Sequence, residues 1–283
     1  MMGALPEEPM PLTQETARFG PAGAYQGLLV LPPHPAAARP LPAVLLIQEA
    51  WGVDAHIADV ARRLAAAGYG VLAPDLYAPA GARKPGLDAA TLEAAKAWLD
   101  GLPPGAWADP ARRQAALAAD GEREAQAGAT LDRVFGSIAA DRAEHLAILQ
   151  AALAWLRTGQ PATAGGKTVS LGFCMGGGLS AQLACLDPGL AGAVLFYGGA
   201  PERAQLAAIA CPVLGFYGEA DARVNAGLPA FEQGMREEGK RLEAHVLAGA
   251  GHAFLNDTRP SFHAGAARQA WARLLGFLAQ VAG

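Results

Sequence analysis

One cysteine sits where a nucleophile is made. The apolar, β-branched run Lys167-Thr168-Val169-Ser170-Leu171 leads directly into Gly172-Phe173-Cys174-Met175-Gly176-Gly177-Gly178. A strand that turns sharply into a glycine-rich helix start, with a reactive side chain at the apex, has the form G-x-S-x-G of a nucleophile elbow, here with a thiol in place of the hydroxyl. Glycine is required on either side because the apex backbone is strained and neighbouring elements leave no room for a Cβ. The helix start behind the apex favours negative charge there. On its own the pentapeptide is equally compatible with a small buried structural cysteine.

Two further residues narrow that choice. The strand-like run Cys211-Pro212-Val213-Leu214-Gly215-Phe216-Tyr217 ends in Gly218-Glu219-Ala220-Asp221, and Leu242-Glu243-Ala244-His245-Val246-Leu247 ends in Ala248-Gly249-Ala250-Gly251-His252. Nucleophile, acid and histidine then follow three strands in the chain order of a hydrolase triad, each at the strand end where open α/β sheets build their sites. A free thiol with a pKa near 8.5 is mostly protonated at neutral pH, so a nearby imidazole is needed to take the proton and later return it. A carboxylate fixes the tautomer of that imidazole. Asp221 is preferred over Glu219 because it lies further into the loop, although it would also serve as N-cap of a helix starting near Val224. Glu49 follows the apolar run Ala43-Val44-Leu45-Leu46-Ile47, where a carboxylate is costly unless it is paired or functional. A hydrogen bond to local backbone is the plainer alternative.

The segments Gln48-Glu49-Ala50-Trp51-Gly52, Gly68-Tyr69-Gly70, Ala73-Pro74-Asp75-Leu76-Tyr77, the elbow, Tyr197-Gly198, Gly218-Glu219-Ala220-Asp221 and Gly251-His252-Ala253-Phe254 run in one order from about residue 20 to the C-terminus. In this the chain resembles the dienelactone hydrolase (carboxymethylenebutenolidase) family of α/β-hydrolases. The resemblance implies Cys174 as nucleophile, Asp221 as acid and His252 as base. It also implies that Glu49 contacts the resting thiol and helps convert it to thiolate when substrate binds, and that the backbone N–H groups of Ala50 and Met175 form the oxyanion hole. It implies a small ester or lactone as substrate. One feature departs from the family. The type enzyme clamps its substrate's carboxylate with two arginines, and the corresponding positions here are Pro79 and Asn256. Arg83, Lys84 and Arg259 are displaced candidates for that role, and Arg is not replaced by Asn at a bidentate site. A neutral ester or a different lactone is therefore as compatible as dienelactone. Trp51 and Tyr77, which follow strand ends, are candidate pocket residues. A thioesterase or acyltransferase would use the same elbow, and a non-catalytic ligand-binding or redox-sensing protein of the same fold remains a third reading.

The elements that must position these residues alternate. Tyr25–Leu31, Leu41–Gln48 and Gly70–Pro74 read as strands. Asp54 caps a helix with Ile57, Val60 and Leu64 inward, ended by Gly68. Leu146, Leu149, Leu153 and Leu156 mark a long helix before the elbow strand, a further helix runs from near Val224 to Gly239, and Ala264–Ala279 closes the chain with Trp271, Leu274 and Leu275 inward. Alternation of this kind predicts an α/β-hydrolase fold, a mostly parallel central sheet with helices on both faces. Residues 1–20 read as a polar arm, and residues 21–283 as one domain with a helical insertion at about 79–139. That insertion would cover the site as a lid, pack beside the domain or form a dimer contact, and Trp98 and Trp107 within it read as core more readily than as pocket.

Composition bounds the function. The 283 residues carry 22 Lys and Arg against 26 Asp and Glu, a net charge of −4 that argues against a nucleic-acid surface. No apolar run spans a bilayer, and the first residues lack the basic and apolar regions of a signal peptide. Three cysteines, an odd count, fit a reducing compartment, so a cytoplasmic location is expected. His34, His56, His145, His245 and His263 show no metal-ligand spacing with a second acid or thiol, so no metal and no cofactor is expected. The sequence leaves monomer and homodimer open.

Overall fold

The computed structural model describes residues 11–33, 39–102, 111–112, 115 and 121–283. Among these, strands β1 (Thr13–Phe19), β2 (Tyr25–Leu31), β3 (Ala43–Ile47), β4 (Gly70–Pro74), β5 (Thr168–Phe173), β6 (Gly192–Phe196), β7 (Val213–Gly218) and β8 (Leu242–Leu247) form one sheet in the order β1-β2-β4-β3-β5-β6-β7-β8. β1 and β2 pair antiparallel, β2 pairs antiparallel with β4, and all remaining neighbours are parallel. Along β3, Val44 and Leu46 face one core while Leu45 and Ile47 face the other, the period of two that a sheet covered on both sides requires.

Helices cover both faces. The first core receives α1 (Ala55–Ala66) through Ile57, Val60 and Leu64, and the C-terminal helix α8 (Ala264–Ala282) through Leu274, Phe277 and Leu278. Asp54 caps α1, accepting a hydrogen bond from the Ile57 N–H at 3.1 Å. The second core receives α4 (Arg142–Thr158) through Ile148, Leu149, Leu153 and Leu156, together with the elbow helix α5 (Met175–Leu186). Two expectations need correction. The polar arm contains β1: only Ala17 and Phe19 of its seven residues are buried, so a one-sided edge strand reads as polar. The single helix expected after Val224 is two, α6 (Ala222–Asn225) and α7 (Leu228–Glu237), because Pro229 in the first turn starts a helix more readily than it continues one.

The insertion supplies α2 (Ala89–Asp100) and α3 (Gly121–Ala140), which lie against each other. Val134 of α3 joins Leu92 of α2, Ala50 and Tyr77 in one apolar cluster, and Leu131 joins Ala95, Leu99 and Trp51 in a second. The insertion is thereby seated on the loop that follows β3. A buried ion pair between Lys96 and Asp54, at 3.0 Å, ties α2 to the start of α1. Trp107 and the Pro103-Pro104-Gly105 segment lie outside the described residues.

Candidate active site

Four strand ends converge on one cleft of about 490 Å³, lined by Glu49 and Ala50 after β3, Cys174 after β5, Asp221 after β7 and His252 after β8. The elbow is built by close packing. A Cβ on Gly172 would meet the Gly176 carbonyl oxygen at 1.9 Å, and one on Gly176 would meet the carbonyl oxygens of Ile47 and Gln48 at 2.5 Å. Cys174 itself is held at φ 53, a left-handed conformation that a non-glycine residue adopts at a cost, and its N–H donates to the Phe196 carbonyl at 2.9 Å. The thiol is half-buried at the cleft floor.

His252 shares the cleft with Cys174 and Asp221. Its Nδ1 lies 2.5 Å from Asp221 Oδ2. Burial by itself pulls the imidazole down. The negative charge at Cys174 and the hydrogen bonds to Asp221 and Cys174 outweigh burial and raise it to about 10. Burial acts on Asp221 in the opposite sense to its hydrogen bond with His252, and the bond prevails, holding the carboxyl below its usual range. Such a site favours the imidazolium form of His252. The two roles foreseen for Asp221 are divided between its oxygens: Oδ2 faces His252, and Oδ1 accepts from the Val224 N–H at 3.4 Å. Burial pushes Cys185 and Cys211 each up to about 11.

The loop after β3 is fixed from below. Tyr77 O–H donates to the Ala50 carbonyl at 2.8 Å, which sets the orientation of that peptide. Among the described residues neither the Ala50 N–H nor the Met175 N–H has a protein acceptor. Glu49 is 2% exposed, and both its oxygens are taken: Tyr197 O–H donates to Oε1 at 3.0 Å, and Asn256 Nδ2–H donates to Oε2 at 2.9 Å. The plainer reading of Glu49, a bond to local backbone, does not describe it. Asn256 is positioned in turn by the Thr258 O–H, which donates to Asn256 Oδ1 at 2.6 Å.

Residues 26–282 match the family model described as "Dienelactone hydrolase family". The chain belongs to the dienelactone hydrolase family. A protein of Saccharolobus solfataricus named "Putative carboxymethylenebutenolidase" is 34% identical over 244 residues, covering 86% of this chain and 91% of its own. A protein of the same name from Escherichia coli (strain K12) is 31% identical over 256 residues, covering 86% and 79%. The crystal structure of a "Putative Dienelactone Hydrolase" from Klebsiella pneumoniae superposes with a TM-score of 0.68 at 25% identity, covering 96% of this chain and 100% of that one. The α/β-hydrolase fold expected from the alternating elements is thus the fold of this family.

Within this member of the dienelactone hydrolase family, Cys174, Asp221, His252, Glu49, Ala50 and Trp51 share the cleft. Tyr77 and Arg83 do not line it. Tyr77 lies behind Ala50, and the Arg83 guanidinium is drawn to Asp75 at 2.7 Å, the carboxylate nearest it in the same turn. Lys84 pairs with Glu144 at 2.6 Å and with Asp141 at 3.0 Å. Of the three displaced basic residues, only Arg259 reaches the cleft, alongside Leu99, Asp100 and Phe135 from the insertion. Asp100 and Phe135 carry no sequence signal as site residues, because helical spacing shows which face is apolar but not which neighbour it meets. Tyr197, at φ 41, stands in the Tyr-Gly segment, and its strained backbone is the mark of its task. A separate hollow of about 900 Å³ between α2 and α3 is lined, among the described residues, by Thr91, Trp98, Gln126, Thr130 and alanines, none of them ionisable. Among the described residues no His, Cys, Asp or Glu cluster suits a metal ion, and no helix is long and apolar enough to cross a membrane.

Proposed function

We propose that the protein is a cysteine-dependent hydrolase of small esters or lactones, acting through an acyl-enzyme. The observation that carries this reading is the His252–Asp221 hydrogen bond in one cleft with Cys174 at a strained elbow, with the N–H of Ala50 in that cleft and the N–H of Met175 next to Cys174 in the chain, both without a protein acceptor among the described residues. The Cys174 thiolate attacks the substrate carbonyl carbon, and the carbonyl electron pair moves to oxygen. The resulting oxyanion accepts hydrogen bonds from Ala50 and Met175, donors that cost no reorganisation as charge develops. Collapse breaks the bond to the leaving oxygen, which takes the proton of His252. Water then gives a proton to neutral His252 and attacks the thioester. Collapse of the second intermediate releases the acid and restores thiolate and imidazolium. Asp221 keeps the Nδ1 proton in place, so that Nε2 serves the reaction.

Glu49 takes part in exchanging thiol and thiolate as substrate enters, from a carboxylate fixed by Tyr197 and Asn256. The chemistry requires no cofactor. The names carried by the relatives, carboxymethylenebutenolidase and dienelactone hydrolase, support a lactone among the substrates. Three unpaired cysteines support a reducing compartment, the cytoplasm. The test is the initial rate on a short aryl ester for wild type, Cys174→Ala and His252→Ala. Turnover lost in both variants with the fold retained is expected, and full turnover in a folded Cys174→Ala protein would overturn the reading.

A further inference from the structure

We infer that Asp100 sets the charge selectivity of the cleft: by neutralising Arg259 it reserves the acyl site for uncharged esters and lactones. The inference rests on the hydrolase reading above and deepens it. Arg259 brings a cation into the cleft wall, with its side chain only 14% exposed. That cation is already occupied. Arg259 Nε donates to Asp100 Oδ1 at 3.0 Å and to Oδ2 at 3.2 Å, and a terminal N–H donates to Oδ1 as well. Its guanidinium carbon lies 5.3 Å from the Trp51 ring centroid, so one face is covered by an aromatic ring. Asp100 is the last residue of α2, where helix carbonyls add partial negative charge beside the guanidinium. Asp100 takes the Nε edge of the fork and cancels its charge, so a second carboxylate would find only the remaining terminal N–H groups, beside the negative charge of Asp100.

The other charges of the cleft act in the same direction. Asp221 is matched by His252. Glu49 is a buried carboxyl group whose partners, Tyr197 and Asn256, are neutral, so no cation offsets it. Arg223 stands exposed at the mouth, where solvent screens it. An anionic acyl group would therefore meet Glu49 and Asp100, with Arg259 engaged and Arg223 screened among the described residues of the wall, whereas a neutral one meets Trp51, Leu99 and Phe135.

The test compares two esters of one skeleton, the p-nitrophenyl hemisuccinate and its methyl ester, as a ratio of kcat/KM values. Wild type is expected to favour the neutral ester by about tenfold or more, the scale of one unpaired charge near a protein surface. Asp100→Asn keeps the size of the side chain and leaves the Lys96–Asp54 tether of α2 intact, but frees Arg259. The ratio should move toward the anionic ester by about tenfold or more, mainly through KM. Asp100→Glu should keep the wild-type preference. Arg259→Gln, which leaves Asp100 without its counter-charge, should weaken the anionic ester further, and it decides the matter if Asp100→Asn does not fold. A merely structural role for Asp100 would change both rates together. A ratio unchanged within about twofold in Asp100→Asn, or a wild type that prefers the hemisuccinate, overturns the inference. Loss of Cys174-dependent hydrolysis of both esters in wild type would instead overturn the hydrolase reading, and the inference with it.

Discussion

Replacing Asp221 by Asn isolates the acid from every other part of the site. The amide keeps the volume of the carboxylate and an oxygen for the Val224 N–H, so the cap of α6 survives. What is lost is the charge facing His252 Nδ1 at 2.5 Å, in a position where Asp221 is only 8% exposed. Raising His252 from 6.5 to about 10 corresponds to about 5 kcal/mol in favour of imidazolium. Burial opposes that shift. The charge at Cys174 is its largest source, and Asp221 contributes both a hydrogen bond and a charge. A share of about 2 kcal/mol for Asp221 agrees with the worth of a buried charge-assisted hydrogen bond. Expressed in the barrier, that is a loss of about 30-fold in kcat. Serine triads lose about 10⁴-fold for the same change, but a thiolate is already nucleophilic and needs less help. The sign with pH follows from a raised histidine. Imidazolium persists below about 10 and is lost as pH rises through that value, so the alkaline limb of kcat/KM lies there in the wild type. In Asp221→Asn it should move down by about one to two pH units. The assay is kcat/KM against pH on a short aryl ester, with a thermal melt to confirm the fold. A variant within about threefold of wild type, with its alkaline limb unmoved, would refute the reasoning.

Asn256→Leu removes a buried donor from Glu49 and should cost about 1–3 kcal/mol in urea unfolding; a change below about 0.5 kcal/mol would mean that the bond between them carries no weight. Gly176→Ala forces a Cβ against two backbone carbonyls at 2.5 Å and should lower stability by about 3 kcal/mol or abolish soluble protein, whereas an unaltered melting temperature would contradict the elbow packing. Brief treatment with iodoacetamide at pH 7.5 should label Cys174 while sparing Cys185 and Cys211, both pushed up to about 11 by burial; equal labelling on peptide mapping would contradict that difference.

Much of this site was legible because its chemistry is tied to chain order. Cys174, Asp221 and His252 each follow an apolar run, and a parallel sheet brings such ends to one edge whatever the lengths between them. The covered strands β3 and β4 were legible for the same reason, since burial on both faces makes their residues apolar without interruption. β1 was not, because an edge strand buries two side chains and its hydrogen bonds leave no trace in hydropathy. The insertion was visible as helical but not in its placement, which depends on contacts such as Lys96 with Asp54, 42 positions away. Arg83 illustrates the same limit. Sequence shows a cation near the cleft-forming segments, and only the turn geometry shows that Asp75 captures it first. Asn256 was noticed for the arginine it is not, whereas its partner Glu49 lies 207 positions earlier.

The central claim is a covalent intermediate on one sulfur. It is tested most directly by mixing the protein with excess aryl ester, quenching in acid within the first turnovers and mapping the adduct by peptide mass spectrometry. The account predicts one acyl group, carried by the Cys174 peptide as a thioester and absent from Cys174→Ala. An acyl group on any other residue during productive turnover, or full turnover by the alanine variant, would contradict it.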